Sequence, residues 1–184
     1  MKILGIMGSP RKNGNTHILI DEILKGAKSA GAETEIILLS EHTIRECNGC
    51  LHCWKGLECT KQDGMNALYN LIEESDVLVF GTPVYWYGPT AIMKAFLDRF
   101  LYFNCAENRP KIKGKKAAIA VPFEEKDPET AAITVAMLEK SFAWLELEQA
   151  GTIIVPGVNK RGDIHKKEQK LKKAYELGRK LASQ

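Results

Sequence analysis

The stretch KILGIM-GSPRKNGNT-HILIDEILKGAKSA, Lys2 to Ala30, sets the fold. Lys2 to Met7 is a short, almost unbroken apolar run, as a strand covered on both faces requires. Gly8 to Asn15 is a polar turn, and Thr16 to Ala30 places Ile20, Ile23, Leu24 and Ala27 on one face of a helix that stops at Gly31. Four more apolar runs are predicted as strands: Glu35 to Leu39, Val77 to Gly81, Ala117 to Val121 and Thr152 to Val155. Helical patterns fall between or after them at Met65 to Glu74, Pro89 to Phe103, Pro128 to Leu147 and His165 to Ala182. Strands alternating with helices predict right-handed βαβ units and a doubly wound parallel five-stranded sheet in three layers, α/β in class.

The length of 184 residues suits one domain, 1–184. With 45% hydrophobic and 27% charged residues, disordered and collagen-like classes are excluded. Nine basic and three acidic side chains lie from Lys160 onward, leaving 17 basic against 20 acidic before it. That local excess reads as a solvated helix face, and without an aromatic-interleaved basic motif no nucleic-acid partner is expected. No apolar run approaches the roughly 20 residues of a membrane span, and MKILGIMGSP has no extended signal core, so no membrane association and a cytoplasmic location are expected.

In doubly wound sheets ligands bind beyond the carboxyl ends of the strands. The first such loop, Gly8 to Thr16, offers backbone N–H groups, Ser9 and Thr16 hydroxyls and the positive end of a helix to a phosphate, with Arg11 or Lys12 adding charge. It is neither a Walker loop, since Asn15 stands where the lysine would be, nor a G-x-G-x-x-G fingerprint. The same residue types also serve as ordinary helix caps. The third loop, Thr82 to Pro89, carries Tyr85, Trp86 and Tyr87 between two prolines, a surface for a flat heteroaromatic ring or a plug against a neighbouring helix or subunit.

Together these loops resemble the flavodoxin-like NAD(P)H-dependent FMN reductases, in which G-S-x-R-x-x-S/G-N-T takes the FMN phosphate and P-V-Y-W/F takes the isoalloxazine. The resemblance implies strand order 2-1-3-4-5 and makes Ser9, Arg11, Asn13, Gly14, Asn15, Thr16, Pro83, Val84, Tyr85 and Trp86 the candidate cofactor-binding residues. Lys94 and Asp98-Arg99 resemble the family's K-x-x-x-D-R helix, read as structural, with Asp98 or Arg99 paired internally.

Cys47, Cys50, Cys53 and Cys59 lie within thirteen residues of the loop 43–63, between the second strand and second helix. Structural disulfides are disfavoured in a reducing compartment. A C-x2-C-x2-C run wraps three corners of a cubane, with Cys59 as the fourth candidate; separated knuckles are commoner for zinc, so the spacing favours a [4Fe–4S] cluster over zinc or free thiols. His52 and Trp54 read as surface and packing residues, and Cys105 as a small packed residue. The cysteine motif inside such a chain resembles the iron-sulfur flavoproteins of anaerobic archaea and bacteria. That resemblance implies FMN, a [4Fe–4S] cluster, a homo-oligomer (dimer or tetramer), and electron transfer between cluster and flavin with ferredoxin or NAD(P)H as redox partner. An FMN-only quinone or flavin reductase, a non-enzymatic electron carrier and a binding module with an empty pocket are the alternatives.

No Ser-His-Asp set or paired-carboxylate motif appears, so no catalytic proton donor is named. The apolar residues of Pro128 to Leu147 face more than one way, which predicts burial against the sheet and a second subunit, with the cysteine loop of one subunit near its neighbour's FMN. Where the family often has a glycine-rich stretch, this chain has Val121-Pro122-Phe123-Glu124-Glu125, whose carboxylates would lower the flavin potential if they lie near the ring.

Overall fold

The computed structural model describes residues 1–183, so the last residue of the expected domain lies outside the described residues. Strands β1 (Lys2–Met7), β2 (Glu33–Leu38), β3 (Val77–Gly81), β4 (Lys116–Pro122) and β5 (Glu148–Val155) form one parallel sheet in the order β2-β1-β3-β4-β5. The flavodoxin-like order implied by the sequence is therefore the one observed. Helices α1 (Asn15–Ser29) and α5 (Glu168–Ala182) cover one face; α2 (Met65–Glu74), α3 (Ala91–Asp98) and α4 (Ala132–Trp144) cover the other.

Each central strand divides its side chains between two cores. In β3, Leu78 and Phe80 enter the core under α2, α3 and α4, while Val77 and Val79 enter the core under α1 and α5. In β4, Ile119 and Val121 take the first side, and the small Ala118 and Ala120 take the second. That alternation inside a run apolar throughout is the signature of a sheet buried twice.

The edge strands are longer than their apolar runs. β2 begins at Glu33 and β5 at Glu148 rather than Thr152. Edge pairing needs only backbone groups, and the polar start of β5 is accommodated by a register shift opposite Ala117 and Ala118. The long helical patterns are interrupted. Thr90 caps α3 by accepting from Met93 N (3.2 Å), and a 3₁₀ segment follows over Arg99–Asn104. Asp127 caps a 3₁₀ turn at Pro128–Ala131 before α4, and another at Asp163–Lys166 precedes α5. Spacing of three is compatible with both helix types, so apolar periodicity runs through these breaks.

α1 and α5 touch backbone to backbone. A Cβ at Gly178 would stand 1.8 Å from the Ile23 carbonyl oxygen and 2.8 Å from Ala27 N. Gly31, at φ +90°, has open space around it, so a side chain there is opposed by backbone conformation alone. Among the described residues no helix is long and apolar enough to cross a membrane.

Urea unfolding separates the two glycines. Gly178→Ala is expected to cost about 2–3 kcal/mol by forcing the helices apart, against roughly 1 kcal/mol for Gly31→Ala. Equal losses would mean that the α1–α5 approach is not tightly packed.

Candidate functional site

Parallel strands deliver their following loops to one edge, where backbone bonds join them. Gly8 N donates to Gly81 O (2.7 Å), Thr82 N to Ala120 O (3.1 Å), Phe123 N to Val155 O (3.0 Å) and Val158 N to Phe123 O (2.9 Å). The cleft these loops enclose lies at the β1/β3 switch in strand order. Ser9, Arg11, Gly14, Asn15 and Thr16 line one end, and Pro83, Val84 and Tyr85 another.

At the first end α1 begins after Gly14 with no side-chain cap and no carboxylate in its first turn. The helix therefore presents N–H groups and the positive end of its dipole to the cleft. Ser9 and Thr16 are buried; the Ser9 hydroxyl accepts from Arg11 N (3.2 Å). Lys12 is turned aside onto Glu41 (2.8 Å), a bond that lowers the Glu41 pKa, so Arg11 is the loop cation lining the cleft. This donor set, lacking any anionic cap, fits a phosphate.

Asn15 has a different task from the one its place in the motif implies. Its side-chain amide donates to Lys160 O (3.1 Å) and its carbonyl oxygen accepts from Ile164 N (3.2 Å), clamping the loop after β5 onto the start of α1. Arg11 Nη1 donates to Asn159 O (3.0 Å) in the same loop. Asn13, at φ +57°, donates its N–H to His17 Nδ1 (3.2 Å) and does not line the cleft. The β5 loop adds Val158, Asn159 and Arg161 as lining residues, and the β4 loop adds Phe123 and Glu124. The sequence marks those loops through the strand-end rule; of these five residues, Phe123 and Glu124 lie in the stretch that departs from the family pattern, and only the Glu124 carboxylate is given a part there.

The aromatic loop closes as a tight two-residue turn. Tyr85 N donates to Gly88 O (2.8 Å) and Gly88 N to Tyr85 O (3.0 Å), with Trp86 at φ +51° and Tyr87 at φ +62° between them. Such a turn normally takes Gly or Asn at both central positions. Tyr85 forms the cleft wall, but Trp86 is 97% exposed and projects outward beyond the lining. Thr134 Oγ1 donates to Tyr87 O (2.9 Å), fastening the turn to α4. Strain held in place around a cleft is a mark of functional rather than structural demand.

The cysteine loop is pinned at both ends. Gly64 N donates to Thr43 O (2.9 Å), and Arg45 N to Asp63 Oδ2 (3.0 Å). Between these points the backbone turns through Gly49, Leu51 and Gly56 at positive φ. Cys50 is exposed, Cys47 and Cys59 are half-buried and Cys53 is buried. The backbone N–H of His52 and the Thr60 hydroxyl lower the Cys50 pKa, whereas burial followed by the charge of Cys59 raises that of Cys53. Among the described residues no three of these thiols already converge as metal ligands. The donor set itself is all thiol, and an iron centre commonly orders the loop that binds it. Cys105 is buried, as a small packed residue should be; Trp54 Nε1 donates to Leu101 O (3.0 Å) but its ring is 42% exposed, so it packs only in part, and His52 is half-buried rather than a surface residue.

Beneath this loop lies Arg99, one of the two residues the sequence reads as structural and internally paired, and it is the one that takes that part. Arg99 is 2% exposed and forms an ion pair with Asp63 (2.8 Å). Burial works against both charges. The bond from Arg99 nevertheless holds the Asp63 carboxyl below its ordinary pKa, and Asp63 keeps Arg99 firmly protonated. The remaining Arg99 donors reach Arg45 O (3.1 Å) and Cys59 Sγ (3.3 Å), while Nε has no partner among the described residues. That unsatisfied buried donor fits an anionic sulfur centre in the loop. Asp98 pairs instead with Lys94 (2.6 Å) on the helix surface.

A family model described as NADPH-dependent FMN reductase matches residues 1–151. An iron-sulfur flavoprotein of Archaeoglobus fulgidus is 38% identical over 184 residues, spanning 99% of this chain and 79% of that protein. An iron-sulfur flavoprotein of Methanocaldococcus jannaschii is 37% identical over 99 residues, covering 54% of this chain and 51% of that protein, about half the length of each. Among solved structures, the NAD(P)H:quinone oxidoreductase from Methanothermobacter marburgensis matches with a TM-score of 0.75 at 17% identity, covering 98% of both chains.

The turn strain is measurable. Trp86→Gly removes an exposed side chain and relieves a left-handed backbone, so it is expected to stabilise the chain by roughly 0.5–1 kcal/mol in urea unfolding. A loss of stability would show that the aromatic turn is unstrained.

Proposed function

The chain belongs to the NADPH-dependent FMN reductase family, as a flavin-dependent oxidoreductase related to the iron-sulfur flavoproteins, and we propose that it passes electrons between FMN in the strand-end cleft and a [4Fe–4S] cluster in the loop 43–63 of one domain, 1–184. The observation that carries this reading is the juxtaposition of an uncapped α1 N-terminus with a wall ending at Tyr85 in one cleft. Bound FMN supplies hydride and single-electron chemistry, and the cluster a one-electron store.

The chain's own residues bind, orient and tune. Ser9, Arg11, Gly14, Thr16 and the backbone of Asn15 hold the phosphate, while Asn13 supports the turn through His17. Pro83, Val84 and Tyr85 hold the ring, and Trp86 at the rim meets a partner or incoming substrate. Glu124 places a carboxylate on the cleft lining, which opposes added negative charge there and lowers the flavin potential. Cys47, Cys50, Cys53 and Cys59 ligate iron, with zinc the alternative that a metal and sulfide count removes. Electrons come from NAD(P)H or a ferredoxin-like donor.

A second copy of the chain covers the remaining apolar surface. Ile133 and Trp144 on α4 are 64% and 72% exposed, and Leu97, Leu101, Met137 and Trp144 line a groove of about 500 Å³ beside the cysteine loop's Trp54. The start of α4 is tied to the aromatic turn through Thr134, and its end lies beside the cysteine loop. An antiparallel contact between two copies of α4 would therefore set one subunit's cysteines toward its neighbour's cleft. A single species at monomer mass in sedimentation would refute this assembly.

The phosphate assignment is tested by comparing two ligands. Thr16→Val is expected to weaken FMN binding about tenfold in a fluorescence titration, and to leave riboflavin, which lacks the phosphate, unchanged. Equal weakening of both would remove Thr16 from the phosphate site, and no FMN binding by the unaltered chain would remove the function. Oxygen-free protein should carry iron and acid-labile sulfide, and should lose both when Cys50 becomes Ser.

A further inference from the structure

We infer that Arg99 is a positioning residue for the cysteine centre: its buried guanidinium holds Cys59 through an N–H···S bond and favours the reduced, more negative state of the group the loop binds. The inference rests on the cluster reading above and deepens it.

The geometry of the guanidinium distinguishes this from an ordinary buried ion pair. An arginine serving only to neutralise a carboxylate commonly sets two parallel N–H groups on its two oxygens. Here the fork is split. Nη1 goes to Asp63 Oδ2 (2.8 Å) and to Arg45 O (3.1 Å), while Nη2 turns to Cys59 Sγ (3.3 Å). Asp63 in turn accepts from Arg45 N (3.0 Å) and Met65 N (3.0 Å). One side chain thus grips the entry of the cysteine loop at Arg45, its exit at Asp63 and its last cysteine. Arg99 is itself fixed, because its carbonyl accepts from Tyr69 O–H (3.3 Å) on α2.

The chemical consequence follows from charge. One-electron reduction, by the flavin or by dithionite in a titration, breaks no bond and takes no proton from Arg99, which stays cationic in both states. The added negative charge is shared by the sulfur ligands, so a charged N–H donor aimed at one of them stabilises the reduced form more than the oxidised form. Burial keeps water from screening that preference.

The test uses oxygen-free holoprotein and the cluster midpoint read by electron paramagnetic resonance. Arg99→Lys keeps the charge but cannot reach Arg45, Asp63 and Cys59 at once. It is expected to lower the equilibrium constant for cluster reduction about tenfold, equivalent to 59 mV for one electron, with FMN affinity unchanged. Wild-type protein labelled with ¹⁵N-arginine supplies a second reading independent of any variant's folding: a hyperfine coupling between an arginine nitrogen and the reduced centre. Iron-loaded wild type with no such coupling, or an unmoved midpoint in folded Arg99→Lys, overturns the inference and leaves the cluster reading standing. Wild type without iron and sulfide overturns both.

Discussion

Burial of both faces of one parallel sheet is the constraint on which everything else in this chain depends. A parallel pair cannot be closed by a hairpin, so each return passes through a helix, and the crossovers distribute those helices to the two sides. Side chains of β1, β3 and β4 must then satisfy two cores at once, Leu4 and Ile6 on one side and Ile3 and Met7 on the other. The same rule sends every post-strand loop to one edge. The cleft is a by-product of topology before it is a product of any particular residue.

This explains which parts of the molecule are legible in its sequence. Runs buried on both faces announce themselves, and β1 and β3 stand where their apolar residues end. The polar starts of β2 and β5 do not, because an edge strand is specified by backbone pairing that leaves little trace in side-chain pattern. Helix interruptions at Arg99 and Pro128 are similarly silent, since i, i+3 apolar contacts persist in a 3₁₀ segment. Asp127 and Thr90 are recognisable as caps only once the helix start is known.

Site residues divide in the same way. Small and hydroxylated residues after the first strand, and aromatics after the third, are conspicuous because their types are costly or unusual there. Asn15 shows the limit: its position matches a phosphate motif, while its side chain spans two loops. Arg99 shows another: its motif marks it for an internal ion pair, yet nothing in the local pattern names Asp63 or the distant cysteine loop as its partner. Such pairings at long sequence separation are properties of packing, not of local pattern.

The Asn15 clamp also dictates when the cleft comes into being. Its partners lie 145 and 149 residues further along the chain, in the segment that follows β5. During synthesis the opening strand and its turn emerge early, yet one wall is absent until the final strand has docked. Ligand uptake at full affinity is thus a signal that the carboxyl-terminal part has been added, and a polypeptide released prematurely would have the turn without the enclosure.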